Sequence, residues 1–195
     1  MARQARRSKH TTRDAVAQSR SHAATSMLFR YELNVIAASV ADVVQSAGGW
    51  LFDRRRAGWD VNILLPDKDD ERALRILGAT TVDLHAGLAC FRRGPERAAA
   101  LAAATDLLAR DERIRKEVQE AIRSGFTEVA LWGDRRPANL GAQVASTEYP
   151  LSAAARVFKG HALVAAGLVD MEVGETESLY CGGYQPLDSD VIQVG

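Results

Sequence analysis

The feature that most constrains this chain is a six-residue run, Asp60-Val61-Asn62-Ile63-Leu64-Leu65, closed by Pro66. It is short and nearly continuous in apolar groups, as a strand covered on both faces must be. Pro66 ends it because proline cannot donate to a strand ladder. Such a strand needs helices above and below it, and helical stretches do flank it. Residues 71–77 form one, with Asp69 or Asp70 placed to cap it and Gly78 to close it. Two further strands are predicted at residues 80–84 and 128–132. Between them runs an alanine-rich stretch that reads as a long helix from Pro95 and Glu96 to Gly125, thinning near Arg110-Asp111. Strands alternating with helices define an α/β layer.

Upstream, Phe29, Leu33, Ile36, Val40, Val43 and Ala47 recur at steps of four and three residues. That spacing predicts one face of an amphipathic helix over residues 27–47, with Arg30, Glu32, Ser39, Asp42 and Gln45 opposite. Gly48-Gly49 would stop or bend it. The stripe formed by Phe29, Leu33, Ile36, Val40 and Val43 has two possible destinations, the chain's own sheet or the same helix of a second copy. It is therefore the candidate interface for a homo-oligomer or a protein partner. Downstream, residues 134–150 read as a loop and residues 151–166 as a helix. Residues 168–173, 178–181 and 191–194 read as short strands. The expected architecture is α/β: a small mixed sheet with flanking helices, a long N-terminal helix and a C-terminal β-ribbon, in one domain over residues 26–195.

Charge is unevenly placed. The chain has 25 basic and 25 acidic residues in 195. Residues 1–30 hold seven basic side chains and one acid, a net charge of +6, which leaves −6 on the remainder. Residues 1–25 have Val16 as their one large apolar group and read as a disordered basic arm. Arg3, Arg6, Arg7, Lys9 and Arg13 would suit phosphates, so nucleic acid is a candidate partner, beside the alternative of a merely solvated terminus. No stretch approaches the roughly 18 apolar residues of a membrane span. The Arg/Ser-rich start lacks a secretory apolar run and resembles a mitochondrial transit peptide in composition. Against that, arginine outnumbers lysine 21 to 4 and alanine supplies 33 residues, a bias expected of a GC-rich bacterial genome. Cys90 and Cys181 fall in no ligand-like spacing and suit a reducing cytoplasm, with their pairing left open.

Three constellations carry chemistry. Ala47-Gly48-Gly49 is followed, ten residues later, by Asp60-Val61-Asn62-Ile63. This resembles the core signature of the nucleotidyltransferase superfamily, the DNA polymerase beta-like fold. The resemblance implies that Gly48 and Gly49 admit nucleotide phosphates, and that Asp60 and position 62, on one strand face, hold Mg²⁺. Asn62 departs from the second acid of that pattern. The alternative is that the glycines end a helix and Asp60 begins a strand. The second constellation gathers acids at expected strand ends: Asp67, Asp69, Asp70, Asp83 with His85, and Asp134. Asp60, Asp83 and Asp134 are the candidate metal ligands, unless these acids cap helices and turns. The third is the helix over residues 151–166 with its ribbon, which resembles the end of a winged helix–turn–helix domain. Its wing carries Asp170, Glu172, Glu175 and Glu177, which would repel phosphate.

No nucleophile elbow, phosphate loop, dinucleotide fingerprint or zinc spacing is present in the sequence. The expected function is therefore a cytoplasmic, non-catalytic binding or regulatory protein associating through the N-terminal helix. A nucleotidyltransferase-like protein binding Mg-nucleotide and a DNA-associated regulator using the basic arm are the alternatives.

Overall fold

Leu33, Val35 and Ile36 are wholly buried in the computed structural model, and they lie in a strand, β1 (Glu32–Ile36), rather than in a helix. Neighbouring side chains of β1 enter different layers: Leu33 and Val35 join one core, Ile36 the other. This is the period-two alternation of a strand covered on both faces. The four-and-three spacing of the sequence spans a strand, a turn and the start of a helix, so its regularity across residues 33–47 is accidental. The model describes residues 31–67, 70–91, 99–137, 140–184 and 192–193. The arm residues Arg3, Arg6, Arg7, Lys9 and Arg13, and Phe29 of the stripe, lie outside these.

Helix α1 (Val40–Arg56) starts where Ser39 accepts a hydrogen bond from the Asp42 backbone N–H at 3.2 Å. It does not stop at Gly48-Gly49 but continues through them to Arg56, 17 residues in all. The remaining elements are β2 (Asp60–Leu65), α2 (Arg72–Ile76), β3 (Thr80–Asp83), α3 (Leu84–Phe91), β4 (Ala100–Ala104), α4 (Thr105–Arg110), α5 (Glu112–Ser124), β5 (Glu128–Trp132), β6 (Val144–Pro150), α6 (Ala153–Ala165), β7 (Thr176–Gly183) and a two-residue β8 (Ile192–Gln193). They build a mixed α/β fold. One eight-stranded sheet has the order β3-β2-β1-β4-β5-β7-β6-β8. The first five strands are mutually parallel; β7, β6 and β8 each run antiparallel to their neighbours. Helices α1, α2 and α6 pack on one face, and α3, α4 and α5 on the other.

Several expectations are corrected. The alanine-rich stretch contains a central strand, β4, whose five residues are all buried. Alanine is the best intrinsic helix former, but that preference is small, and burial between two helical layers overrides it. Residues 144–150 form β6, not a loop, while residues 168–173 form no strand. The β-ribbon is β6 with β7, Thr147 opposite Leu179, and β7 continues into the main sheet with Cys181 opposite Ala130. It is thus no free wing. The candidate interface is also corrected: Leu33, Ile36, Val40 and Val43 are at most 5% exposed and belong to the core of a single chain. No helix among the described residues is long and apolar enough to cross a membrane.

Candidate active site

In an open parallel sheet the chain winds away from its first strand in both directions, and a crevice opens outside the carboxyl ends of the strands where the order reverses. Here β2 and β3 lie to one side of β1, β4 and β5 to the other. The switch point therefore lies between β1 and β4. The segments reaching it are Ala37–Ser39 with the first turn of α1, Thr105 and Asp106 after β4, and Gly133 and Asp134 after β5.

Asp42 is the central group. It stands in the first turn of α1, half-buried, and both its oxygens accept from the Trp132 indole N–H at 3.2 Å. Ser46 donates to Oδ1 at 3.5 Å. Burial holds the Asp42 carboxyl above the usual carboxylate range. The Trp132 and Ser46 hydrogen bonds pull it partly back, and the charge of Asp106 pushes it up further. Asp106 itself is exposed and pairs loosely with Arg110 at 3.7 Å. Thr105 is buried, and a Cβ on Gly133 would meet its Oγ1 at 2.1 Å, at a φ of +140° that also favours glycine. The turn after β5 is thereby held against the end of β4, and Trp132 is brought over α1.

The residues expected from the sequence go elsewhere. Gly48 and Gly49 are buried in the middle of α1, where a Cβ on Gly49 would lie 2.6 Å from Leu151. They serve helix packing and expose no backbone to a phosphate. Asp60 begins β2, at the opposite end of the sheet from the crevice, and pairs with Arg55 at 3.2 Å. Asn62 donates to Glu32 at 2.8 Å and to Asn34 at 3.2 Å. Asp83 ends β3 and accepts from the Ala86 N–H at 2.8 Å, as a helix cap does. Asp70 likewise accepts from the Arg72 N–H at 3.0 Å. Asp83 and Asp134 follow strands four places apart in the sheet, or about 19 Å at the usual strand spacing. Asp60, Asp83 and Asp134 therefore do not converge. His85 and His161 are exposed. Among the described residues no group of three or more His, Cys, Asp or Glu side chains is placed to hold a metal ion.

Asp42 and Trp132 were not singled out by sequence reasoning. A signal existed in Ser39-x-x-Asp42, the spacing of a helix start, but a capping pattern does not reveal which strand end it faces. A second buried carboxylate, Glu177, lies away from the crevice. Its two oxygens accept from the Gly49 and Trp50 backbone N–H groups, each at 2.8 Å, and Oε1 meets Lys159 Nζ at 2.6 Å. Lys159 also donates to the Gln45 carbonyl at 2.7 Å. Burial raises the Glu177 carboxyl, against the pull of Lys159 and of the two N–H groups. At the amino ends of the strands Glu128 is likewise raised by burial and is partnered by Arg54. Arg54 lies 4.8 Å above the Trp59 ring centre.

The fold and the crevice define a doubly wound α/β protein with a half-buried carboxylate at its switch point. No family model matches the chain, and no curated protein is significantly similar to it. Solved structures are similar in fold. The zinc-inhibited form of a teicoplanin deacetylase matches at 12% identity with a TM-score of 0.54, over 84% of this chain and 98% of its own. The A40926 pseudoaglycone deacetylase matches at 16% identity and a TM-score of 0.51, over 81% of this chain and all of its own. The 4-carboxy-2-hydroxymuconate hydratase GalB from Pseudomonas putida matches at 12% and 0.50, over 85% of this chain and all of its own. At these identities the likeness is one of fold. It overturns the resemblance to the nucleotidyltransferase superfamily. It also corrects the expected non-catalytic binding or regulatory protein and the DNA-associated regulator, since these structures of similar fold are those of deacetylases and a hydratase.

Proposed function

We propose that the chain is an enzyme that delivers water to a small polar substrate held in the crevice between β1 and β4, with Asp42 as its general base. The observation that supports this reading is the state of the Asp42 carboxyl: half-buried at the switch point, raised by burial, and oriented through both oxygens by one buried indole N–H. A perturbed carboxyl in a cleft is the usual mark of acid–base work. Its ionised form takes a proton from water as the oxygen attacks. Its acid form then returns that proton to the leaving amine in deacetylation, or to the second carbon of the double bond in hydration. Trp132 keeps the two oxygens in place through both steps. The structural neighbours act on an acetyl group in one case and as a hydratase in the other, and both reactions spend a water molecule. The substrate classes to test are therefore N-acetylated sugars and amides, and unsaturated carboxylic acids. Residence in the cytoplasm belongs to the same reading and is supported by the buried free thiol of Cys181.

The test is a screen of the full chain against those two classes, reading acetate and free amine for the first and loss of the double-bond absorbance for the second. Turnover that falls by about 10²–10⁴-fold in Asp42→Asn supports the proposal. Turnover untouched by Asp42→Asn overturns it, as does no turnover in either class.

A further inference from the structure

In the interior of an α-helix each backbone N–H bonds the carbonyl four residues earlier. In α1 that rule pairs Gly49 with Gln45 and Trp50 with Ser46. Side chains from two other elements reach these groups. Lys159 of α6 donates to the Gln45 carbonyl at 2.7 Å. Glu177 of β7 accepts from the Gly49 and Trp50 N–H groups, each at 2.8 Å, and from Lys159 at 2.6 Å. Both side chains are buried. A continuous line of contacts thus runs from the Gln45 carbonyl, through ammonium and carboxylate, to the Gly49 N–H. A side chain entering the ladder of a helix is a recognised cause of a bend. Each member of the pair also suits the helix end it would make. Carboxylates favour the N–H groups that open a helix, and cations favour the carbonyls that close one. The glycine pair falls at this same point, where helix propensity is lowest.

We infer that Lys159 and Glu177 are positioning residues for the Asp42 carboxyl: they divide α1 into two capped halves and fix the angle at which its first half meets Trp132. The first half, opened by Ser39 as N-cap, carries Asp42 and Ser46. Ser46 donates to Asp42 at 3.5 Å, and it directly follows the residue whose carbonyl Lys159 holds. One ladder aligns both anchors of the helix. Strand β7 pairs with β5, Leu131 opposite Tyr180, so the strand that delivers Glu177 is fixed against the strand that ends in Trp132. Helix α1 is therefore held at Asp42 by Trp132 and at Gly49-Trp50 by Glu177, about 10 Å apart at the usual rise per residue. Asp106 of α4 is the charged group that acts on Asp42, and it lies outside this arrangement. The role of Asp42 in a reaction is taken from the function proposed above, but its positioning is testable without a substrate.

Nuclear magnetic resonance of the full chain tests it in two ways. In the wild type, through-hydrogen-bond couplings should be missing between Gly49 and Gln45 and between Trp50 and Ser46. Those on either side, Gly48 to Val44 and Leu51 to Ala47, should be present. Couplings across the glycine pair equal to these neighbours would overturn the inference, with no variant needed. The second measurement follows the Trp132 indole N–H resonance from pH 3 to 7, assigned by its loss in Trp132→Phe, with the Asp42 response identified by Asp42→Asn. In the double variant Glu177→Ala with Lys159→Met no charge is stranded, and α1 can close its own ladder. The indole resonance should lose its response to Asp42, or shift its midpoint by about half a pH unit or more. Leu163→Ala, a core truncation on the same helix α6, should lower the melting temperature and leave that midpoint in place. An unmoved midpoint in the double variant, or an equal shift in Leu163→Ala, would overturn the positioning role. A failed substrate screen would remove the enzyme and leave both of these results standing.

Discussion

Two carboxylates at helix α1, Glu177 and Asp42, are treated oppositely. Glu177 enters at mid-helix, takes the N–H groups of Gly49 and Trp50, and is neutralised by Lys159. Asp42 sits in the first turn, where its partners are an indole N–H and a hydroxyl, and the nearby charge that acts on it is another acid, Asp106. Both carboxyls are raised by burial, but only the first is compensated by a cation. Glu177 and Lys159 tie α1 to α6 and β7, whereas the partners that act on Asp42 include no cation.

The largest expected effect breaks the compensated side. Glu177→Ala strands Lys159 inside the protein and should cost about 3–5 kcal/mol in denaturant unfolding. Pairing it with Lys159→Met should recover much of that loss, since two apolar groups need no partner. An equal loss in the double variant would show that the two N–H bonds, not the ion pair, carry the effect.

Next comes the glycine pair, which packs beside Glu177. Gly49→Ala should destabilise by about 1–3 kcal/mol although alanine is the better helix former, because its methyl would press on Leu151. Gly48→Ala meets Leu77 at 3.4 Å, an ordinary contact, and should be neutral or stabilising by up to about 1 kcal/mol. Equal effects at the two positions would contradict the packing role assigned to Gly49.

Asp42→Asn addresses the uncompensated side. It should leave stability unchanged or slightly raised while cutting turnover by about 10²–10⁴-fold, the reverse of Glu177→Ala. A clear fall in its melting temperature would place Asp42 among the structural carboxylates.

The smallest effect is a pH dependence. Because the folded-state pKa of Asp42 is raised, the folded chain binds the proton more tightly than the unfolded chain does. The resulting cost is absent below the unfolded value near 4, grows as pH rises through the raised folded value, and is complete above it. Wild-type stability relative to Asp42→Asn should therefore fall with rising pH across that window. Unfolding curves of both proteins between pH 3 and 7 read it directly. Asp111 has the opposite sign: its bond to Arg113 holds it at about 2, so its contribution is kept above its unfolded value and lost only as pH falls toward 2.

Some of this was legible in the residues alone, and the reason is local. Asp60–Leu65 and Glu128–Trp132 read as buried strands, because their apolar content and their flanking proline and glycine are enough to define a covered strand. Ser152 before α6 announces a helix start in the same way; its hydroxyl accepts from the Ala155 N–H at 3.0 Å. Other features were decided only by tertiary structure. Glu32–Ile36 and Ala100–Ala104 carry helical spacing or helical propensity, yet they become central strands because two helical layers bury both of their faces. The site depends on distance in the chain as well. Asp42 and Trp132 are 90 residues apart, and no local pattern links an acid in a first helical turn to an indole at a strand end. The parallel pairing of β1, β4 and β5 brings them together, so sequence determined the α/β class and its covered strands, while strand order decided which carboxylate faces the crevice.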